Sequence, residues 1–292
     1  MNETQFFVLP DKRKLCYAEY GISGGCPILY CHGFPSSRLE AALAQPAAQR
    51  LGIRMISIDR PGFGQSDYLL SRSILDWPED VKALMSHLGI DKFSVVGISG
   101  GAPYAMSCAA RLPEFVSKLG IVCGLGWLGD QLNLKRMRKP FQLLIKLYAS
   151  YPSVSYWATQ RVLVPLLSRS PAFVFHMIKK LASQDDKELL NDPKVGIVIE
   201  KSLEEAFAQG SKGPIWELAL HNKPWGFDLR SINAETYLWH GDNDNTVPLA
   251  MGQYHAKMLP HAKLKIFPGE GHFTVPIRHL GEILQTLCVQ TK

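Results

Sequence analysis

One serine in this chain stands where its hydroxyl could be made to attack. Ser99 lies in Gly97-Ile98-Ser99-Gly100-Gly101, between the apolar run Phe93 to Val96 and a stretch whose Ala105, Met106, Ala109 and Ala110 form a compact helix face. Strand, sharp turn and helix in that order make a nucleophile elbow, G-x-S-x-G. The glycines let strand and helix approach where a Cβ would collide. Pro103 falls early enough in the helix to be tolerated. A serine hydroxyl is a weak nucleophile and needs an adjacent base. The elbow holds it above the sheet within reach of one. It also aims the Gly100 N–H, at a helix N-terminus, towards the place where an oxyanion would form.

The base and the group that orients it must come from elsewhere in the chain. Two later loops carry the right residues. His240-Gly241-Asp242-Asn243-Asp244-Asn245-Thr246-Val247-Pro248 follows the strand-like Thr236 to His240, and Pro268-Gly269-Glu270-Gly271-His272-Phe273 follows Leu264 to Phe267. Both lie at the carboxyl ends of expected parallel strands, the edge where α/β sheets place their sites. The order is serine, then acid, then His272, as this elbow requires. His255, His261 and His279 suit surface or capping roles better.

The elements that would position these residues alternate. Residues 5 to 20 read as two antiparallel strands about Pro10-Asp11-Lys12. Pro27 to Cys31 is a buried strand ending in His32-Gly33-Phe34-Pro35-Ser36-Ser37, a loop with the Ser N-cap of a helix to about Gln49. Ile53 to Ile58 is the next strand, a helix spans about Trp77 to Leu88, and Leu119 to Cys123 follows the elbow helix. This predicts an α/β fold, a doubly wound and mostly parallel sheet. From Leu125 to about Ser231 no strand is convincing. Helical stretches near 131–150, 154–168, 171–183, 194–208 and 213–221 are broken by prolines. The expected organisation is a core of 1–124 and 232–292 with a helical cap inserted at 125–231, and a last helix from about Ile277 to Cys288.

With these pieces in place, the sequence resembles the α/β-hydrolase superfamily, in its branch with an inserted cap. The likeness runs over nearly the whole chain. It is carried by His32-Gly33-Phe34-Pro35, Asp59-Arg60-Pro61-Gly62-Phe63-Gly64-Gln65-Ser66, Gly97-Ile98-Ser99-Gly100-Gly101, His240-Gly241-x-x-Asp244-x-x-Val247-Pro248 and Gly271-His272. The resemblance implies a catalytic triad of Ser99, Asp244 and His272, with an oxyanion hole made by the Phe34 and Gly100 N–H groups. Asp242 is left a loop-stabilising role, bonding its own backbone. The other family position for the acid, after Cys123, carries Gly124, Leu125 and Gly126. His32 is expected to be structural, with a place in the substrate pocket open to it, as to Trp127. Trp157, Trp216 and Trp225 suit pocket or cap core equally. Asp59 and Arg60 should brace their loop. Lys135-Arg136-Met137-Arg138-Lys139 reads as a solvated cap face rather than a contact for an anionic lipid.

Composition narrows the classes. The 292 residues are 46% hydrophobic and 20% charged, with a formal net charge of +6. That is a globular chain without the basic tract a nucleic-acid groove needs. No apolar run is long enough to span a bilayer, and the polar start is unlike a signal peptide. The six cysteines are scattered without ligand or disulfide spacing. The expectation is a cytoplasmic protein with no metal or other cofactor, no nucleic-acid partner, no stable membrane insertion and a small-molecule substrate. A serine nucleophile suits acyl carbonyls, whereas relatives that open epoxides or displace halide use aspartate at this position. The function expected is a serine hydrolase acting on a small-to-medium, largely apolar ester, or a related acyl or carbon–carbon bond. The competing expectation is a small-molecule receptor or interaction protein on the same scaffold.

Overall fold

The computed structural model describes residues 2–128 and 171–288, with residues 139, 142, 143 and 161 between them. Eight strands form one sheet: β1 Asn2–Val8, β2 Lys14–Gly21, β3 Cys26–Cys31, β4 Ile53–Ile58, β5 Phe93–Ile98, β6 Val116–Val122, β7 Glu235–Gly241 and β8 Ala262–Phe267. Their spatial order is β1-β2-β4-β3-β5-β6-β7-β8. The first hairpin and the β2–β4 pair are antiparallel, and every pair from β4 to β8 is parallel. Every residue of β5 is buried, as a central parallel strand covered on both faces demands.

The helices between strands are α1 Gln45–Arg50, α2 Trp77–His87 and α3 Ala102–Arg111. In the segment joining β6 to β7 the described helices are α4 Pro171–Leu181, α5 Gln184–Asn191, α6 Pro193–Ala206 and α7 Lys212–Asn222. Then come α8 Leu249–Met258, α9 Thr274–Arg278 and α10 Leu280–Cys288. Two cores flank the sheet. One packs Trp77, Val81, Tyr104 and Met106 against Leu29, Ile56 and Val95. The other packs Ala47, Ile283 and Leu287 against Ile28, Val96 and Val122. The inserted segment has its own cluster of Val174, Leu190, Val195, Ile199 and Leu203, against which Phe273 and Ile277 pack. Each such side chain, fully buried, contributes roughly 1.5–3 kcal/mol.

Local chemistry explains where the helices depart from expectation. The stretch after Ser37 is a 3-10 turn, Arg38–Ala44, before α1. Pro46 has no N–H for a continuous helix and its ring would meet a carbonyl one turn back, so the helix restarts. The expected last helix is two pieces, parted at His279, whose ring stacks on Phe267 at 3.9 Å. Helices α5 and α8 were not expected. Most of the stretches near 131–150 and 154–168 lie outside the described residues, as do Lys135 to Arg138 and Trp157. Among the described residues no helix is long and apolar enough to cross a membrane.

Candidate active site

The elbow is built as its glycines require. Ser99 has φ +52°, a left-handed conformation that costs a non-glycine residue. A Cβ on Gly97 would lie 2.7 Å from Ala102 Cα, and one on Gly101 would collide with the Cys31 carbonyl. The turn therefore closes only with glycine at both positions, and α3 starts directly beyond it.

The three side chains named from the sequence meet at the carboxyl edge of the sheet. His272 Nε2 lies 3.0 Å from Ser99 Oγ, and His272 Nδ1 lies 2.7 Å from Asp244 Oδ2. The other Asp244 oxygen accepts the N–H groups of Thr246 and Val247, both at 2.8 Å. An ionised carboxylate only accepts, so Nδ1 carries the imidazole proton and the Nε2 lone pair faces the serine. His272 is buried, and burial works against its charge. The Asp244 charge and hydrogen bond outweigh that and hold its pKa above the ordinary histidine value. Burial likewise opposes the Asp244 carboxylate, yet His272 and the backbone donors keep its pKa below the usual range. Such an arrangement can take a proton from serine and return it to a leaving group.

The Phe34 and Gly100 backbones face one another beside Ser99. A Cβ on Gly100 would lie 2.6 Å from Phe34 Cβ and 3.4 Å from Phe34 N. Among the described residues, neither N–H is committed to a turn or loop hydrogen bond. Arg60 braces the loop that carries Phe34. It donates to the His32 carbonyl at 2.6 Å and the Gly33 carbonyl at 2.8 Å, and pairs with Glu217 Oε1 of α7 at 2.6 Å. Glu217 Oε2 accepts from Arg72 and Tyr104, each at 2.8 Å. Burial raises the Glu217 pKa, but the two arginine charges bring it down to about 2. One turn on, His221 packs edge-on against Phe34 at 5.4 Å. Burial and the same arginines push its pKa down to about 4, so it is neutral.

A cavity of about 70 Å³ lies beside Ser99 and His272. Phe34, Ile98, Ile178, Ile199, Leu203, Phe273 and Ile277 give it apolar walls. Glu40 also lines it and accepts from Tyr30 Oη at 2.8 Å and the Gly33 N–H at 3.2 Å. His32 and Trp127 are not among its lining residues. His32 is buried beneath the loop, with Nδ1 3.0 Å from the Gly33 carbonyl. Trp127 is exposed and donates to the Asn222 carbonyl. Trp216 donates to the Arg72 carbonyl and Trp225 stacks with Phe227, both away from the cavity.

Asp59 braces its own loop as expected, accepting from the Gln65 N–H and from Arg38, whereas the Arg60 side chain braces the neighbouring loop through the His32 and Gly33 carbonyls. Asp242 accepts from the Gly269 N–H of the neighbouring loop rather than its own backbone. His255 is fully buried rather than at a surface or cap. Among the described residues, Cys123, Asp244 and His272 offer ligand atoms within 4.8 Å of one another. They make a poor metal site, because burial and the Asp244 charge keep the Cys123 thiol protonated and the other two are hydrogen-bonded together. Glu40, Asp186, Glu217 and His221 were not singled out in the sequence. Glu217 left one signal, a lone acid in the otherwise apolar run Gly213 to Leu220.

The model of the α/β hydrolase fold family matches residues 27–276. The chain belongs to the α/β hydrolase fold family. Its relatives include two named hydrolases. It is 30% identical over 235 residues to the 2-hydroxy-6-oxononadienedioate/2-hydroxy-6-oxononatrienedioate hydrolase of Comamonas testosteroni, covering 77% of this chain and 72% of that one. It is 31% identical to the 2-hydroxy-6-oxo-6-phenylhexa-2,4-dienoate hydrolase of Burkholderia cepacia, over 76% and 71% of the two chains. In fold it is similar to a thermophilic esterase from Thermogutta terrifontis, with TM-score 0.72 and 19% identity over 98% of this chain and 99% of that one.

Proposed function

We propose that this hydrolase cleaves small-to-medium, largely apolar esters through an acyl-enzyme. The observation that carries the reading is the hydrogen-bonded series Ser99–His272–Asp244 beneath an apolar cavity. His272 takes the Ser99 proton as Oγ attacks the ester carbonyl, and Asp244 holds the imidazole and supports its charge. The Phe34 and Gly100 N–H groups bind the developing oxyanion. His272 then gives its proton to the leaving alkoxide. Water, deprotonated by the same imidazole, attacks the acyl-enzyme and releases the acid and free Ser99.

Cleavage of a carbon–carbon bond beside a ketone would use the same machinery, and the names of two relatives favour it. Among the described residues, however, the cavity is lined by Glu40 and by no lysine or arginine. That suits a neutral ester better than an anionic ketone.

A chain-length series of chromogenic esters, assayed with wild type, Ser99→Ala and His272→Ala, tests the reading. Ester turnover lost in both variants is the expected result. Full turnover by Ser99→Ala overturns the mechanism. A folded wild type that turns over no ester, yet is labelled at Ser99 by an organophosphonate, moves the reading to the ketone substrates. Absence of labelling as well moves it to a binding protein.

A further inference from the structure

The histidine loop is held by a carboxylate from outside the sheet, at a position with a local use available. Asp186 follows the N-cap Ser183 by three residues, and Ser183 Oγ accepts the Asp186 N–H. An acidic side chain there ordinarily folds back to the cap residue's N–H. This one points the other way. Its Oδ2 accepts the His272 N–H at 2.8 Å, and its Oδ1 accepts the N–H groups of Phe273 and Thr274, also at 2.8 Å. Asp186 is fully buried. Gly271 leaves room for it, since a Cβ there would collide with both the Asp186 carboxylate and Ser183 Oγ.

We propose that Asp186 is a second positioning carboxylate for His272, acting through the main chain of the histidine loop while Asp244 acts on the ring. The proposal rests on the reading of His272 as the base. Three consecutive amides converge on one side chain, and amide hydrogen bonds to a carboxylate are stronger than those to a neutral acceptor. They fix the backbone from which the imidazole projects, and so the direction of Nε2. The charge has a second effect. Among the described residues, the charged and titratable groups facing His272 are Asp244 and His240 from the end of β7, Cys123 from the end of β6, Glu40 from the turn after β3, and Asp186 from α5. Asp186 and Glu40 add to Asp244 in favouring the imidazolium. The inserted segment thus supplies part of the catalytic centre's rigidity and not only a wall of the cavity.

Asp186→Asn tests this, with Asp185→Asn as the control that removes the same charge from a neighbouring exposed position. Three readouts are taken: hydrogen exchange at the 272–274 amides, the His272 imidazole titration by NMR, and kcat and KM on the best ester. In wild type the three amides are expected to exchange slowly. Asp186→Asn is expected to speed them about tenfold or more and to lower the His272 pKa by about half a unit to one unit. It should lower kcat about tenfold with KM within about twofold, a loss confined to the reacting geometry. Asp186→Glu, which keeps the charge but misplaces it, restores the pKa and not the exchange protection. Fast exchange of these amides in wild type overturns the proposal without any variant. A folded Asp186→Asn matching Asp185→Asn in exchange and titration also overturns it. If both respond while Ser99→Ala keeps ester turnover, the brace stands and the catalytic reading of His272 falls.

Discussion

Arg60 and Glu217 meet at 2.6 Å with neither side chain exposed, and the arginine also donates to the two carbonyls that precede Phe34. A helix of the inserted segment therefore reaches through a buried ion pair to a loop of the sheet edge. Removing one partner of such a pair leaves the other charged and unpaired, at a cost of about 3–5 kcal/mol.

Glu217→Gln keeps the shape and removes the charge. The Arg60 guanidinium then has only neutral acceptors, and the Phe34 N–H loses part of its alignment. The expected result is a fall in kcat of roughly 10–100-fold, below the 10²–10³ seen for outright loss of an oxyanion donor, with KM little changed. Steady-state kinetics at a temperature well below the variant's melting transition checks this. An unchanged kcat would mean that the pair is only structural.

The pH profile of kcat/KM should have an acid limb set by His272. Only the neutral imidazole can accept the serine proton, so activity is lost as pH falls through its pKa. That pKa is raised by Asp244, so the midpoint should lie above the ordinary histidine value of about 6.5. Asp244→Asn should move the limb to lower pH and reduce kcat by about 10⁴, because the wrong tautomer is then accessible. A limb that stays in place in this variant would assign it to another group.

The sequence made the sheet and the three central residues legible for a physical reason. Ser99, Asp244 and His272 each follow a short apolar strand, and the turns that expose them need residue types that stand out locally, such as Gly97 and Gly101. The braces were illegible because their partners are distant. Asp186 looks like a helix cap, and only the folded chain brings the amides of His272 to Thr274 against it. Glu217 looks like an odd acid on an apolar helix until Arg60 and Arg72 close on it. The walls of the cavity beside Ser99 were illegible for the same reason. Nothing local tells whether His32 or Trp127 turns towards Ser99, and the walls come instead from Ile178, Ile199 and Leu203 of the inserted segment.

Those walls predict a change in specificity. Ile199 lines the cavity and is packed in the inserted segment's own cluster. Ile199→Ala should shift the ester chain-length optimum upward by about two to three carbons. It should also lower stability by about 2–4 kcal/mol, through lost burial and the space left behind. Kinetics across the ester series and a urea titration give both numbers. An unshifted optimum with the stability loss present would place the acyl chain elsewhere.

Acid should unfold the protein in two stages, and His255 should drive much of the first. Its ring lies in α8 beside Trp225 and Tyr254, and neither ring nitrogen has a partner among the described residues. Burial pushes its pKa down to about 3. His221 is pushed down to about 4 in the same direction. Between those values and about 6.5 the unfolded chain binds the protons and the folded chain does not, so stability falls as pH is lowered through that window. Each unit of separation is worth about 1.4 kcal/mol per histidine. Glu217 acts in a lower window. Its folded value of about 2 lies below the ordinary glutamate value, so its contribution is intact above that ordinary value and is lost as pH falls towards 2. His255→Leu removes one proton-binding site and an unpartnered polar ring at once. It should leave stability at pH 7 equal or higher and visibly flatten the slope between pH 6.5 and 4. The flattening should extend down to about pH 3, the folded His255 value, and the slope below that should be unaltered. Urea midpoints measured at half-unit pH steps would show it, and an unchanged upper slope would mean that His255 is protonated or hydrated in the folded protein.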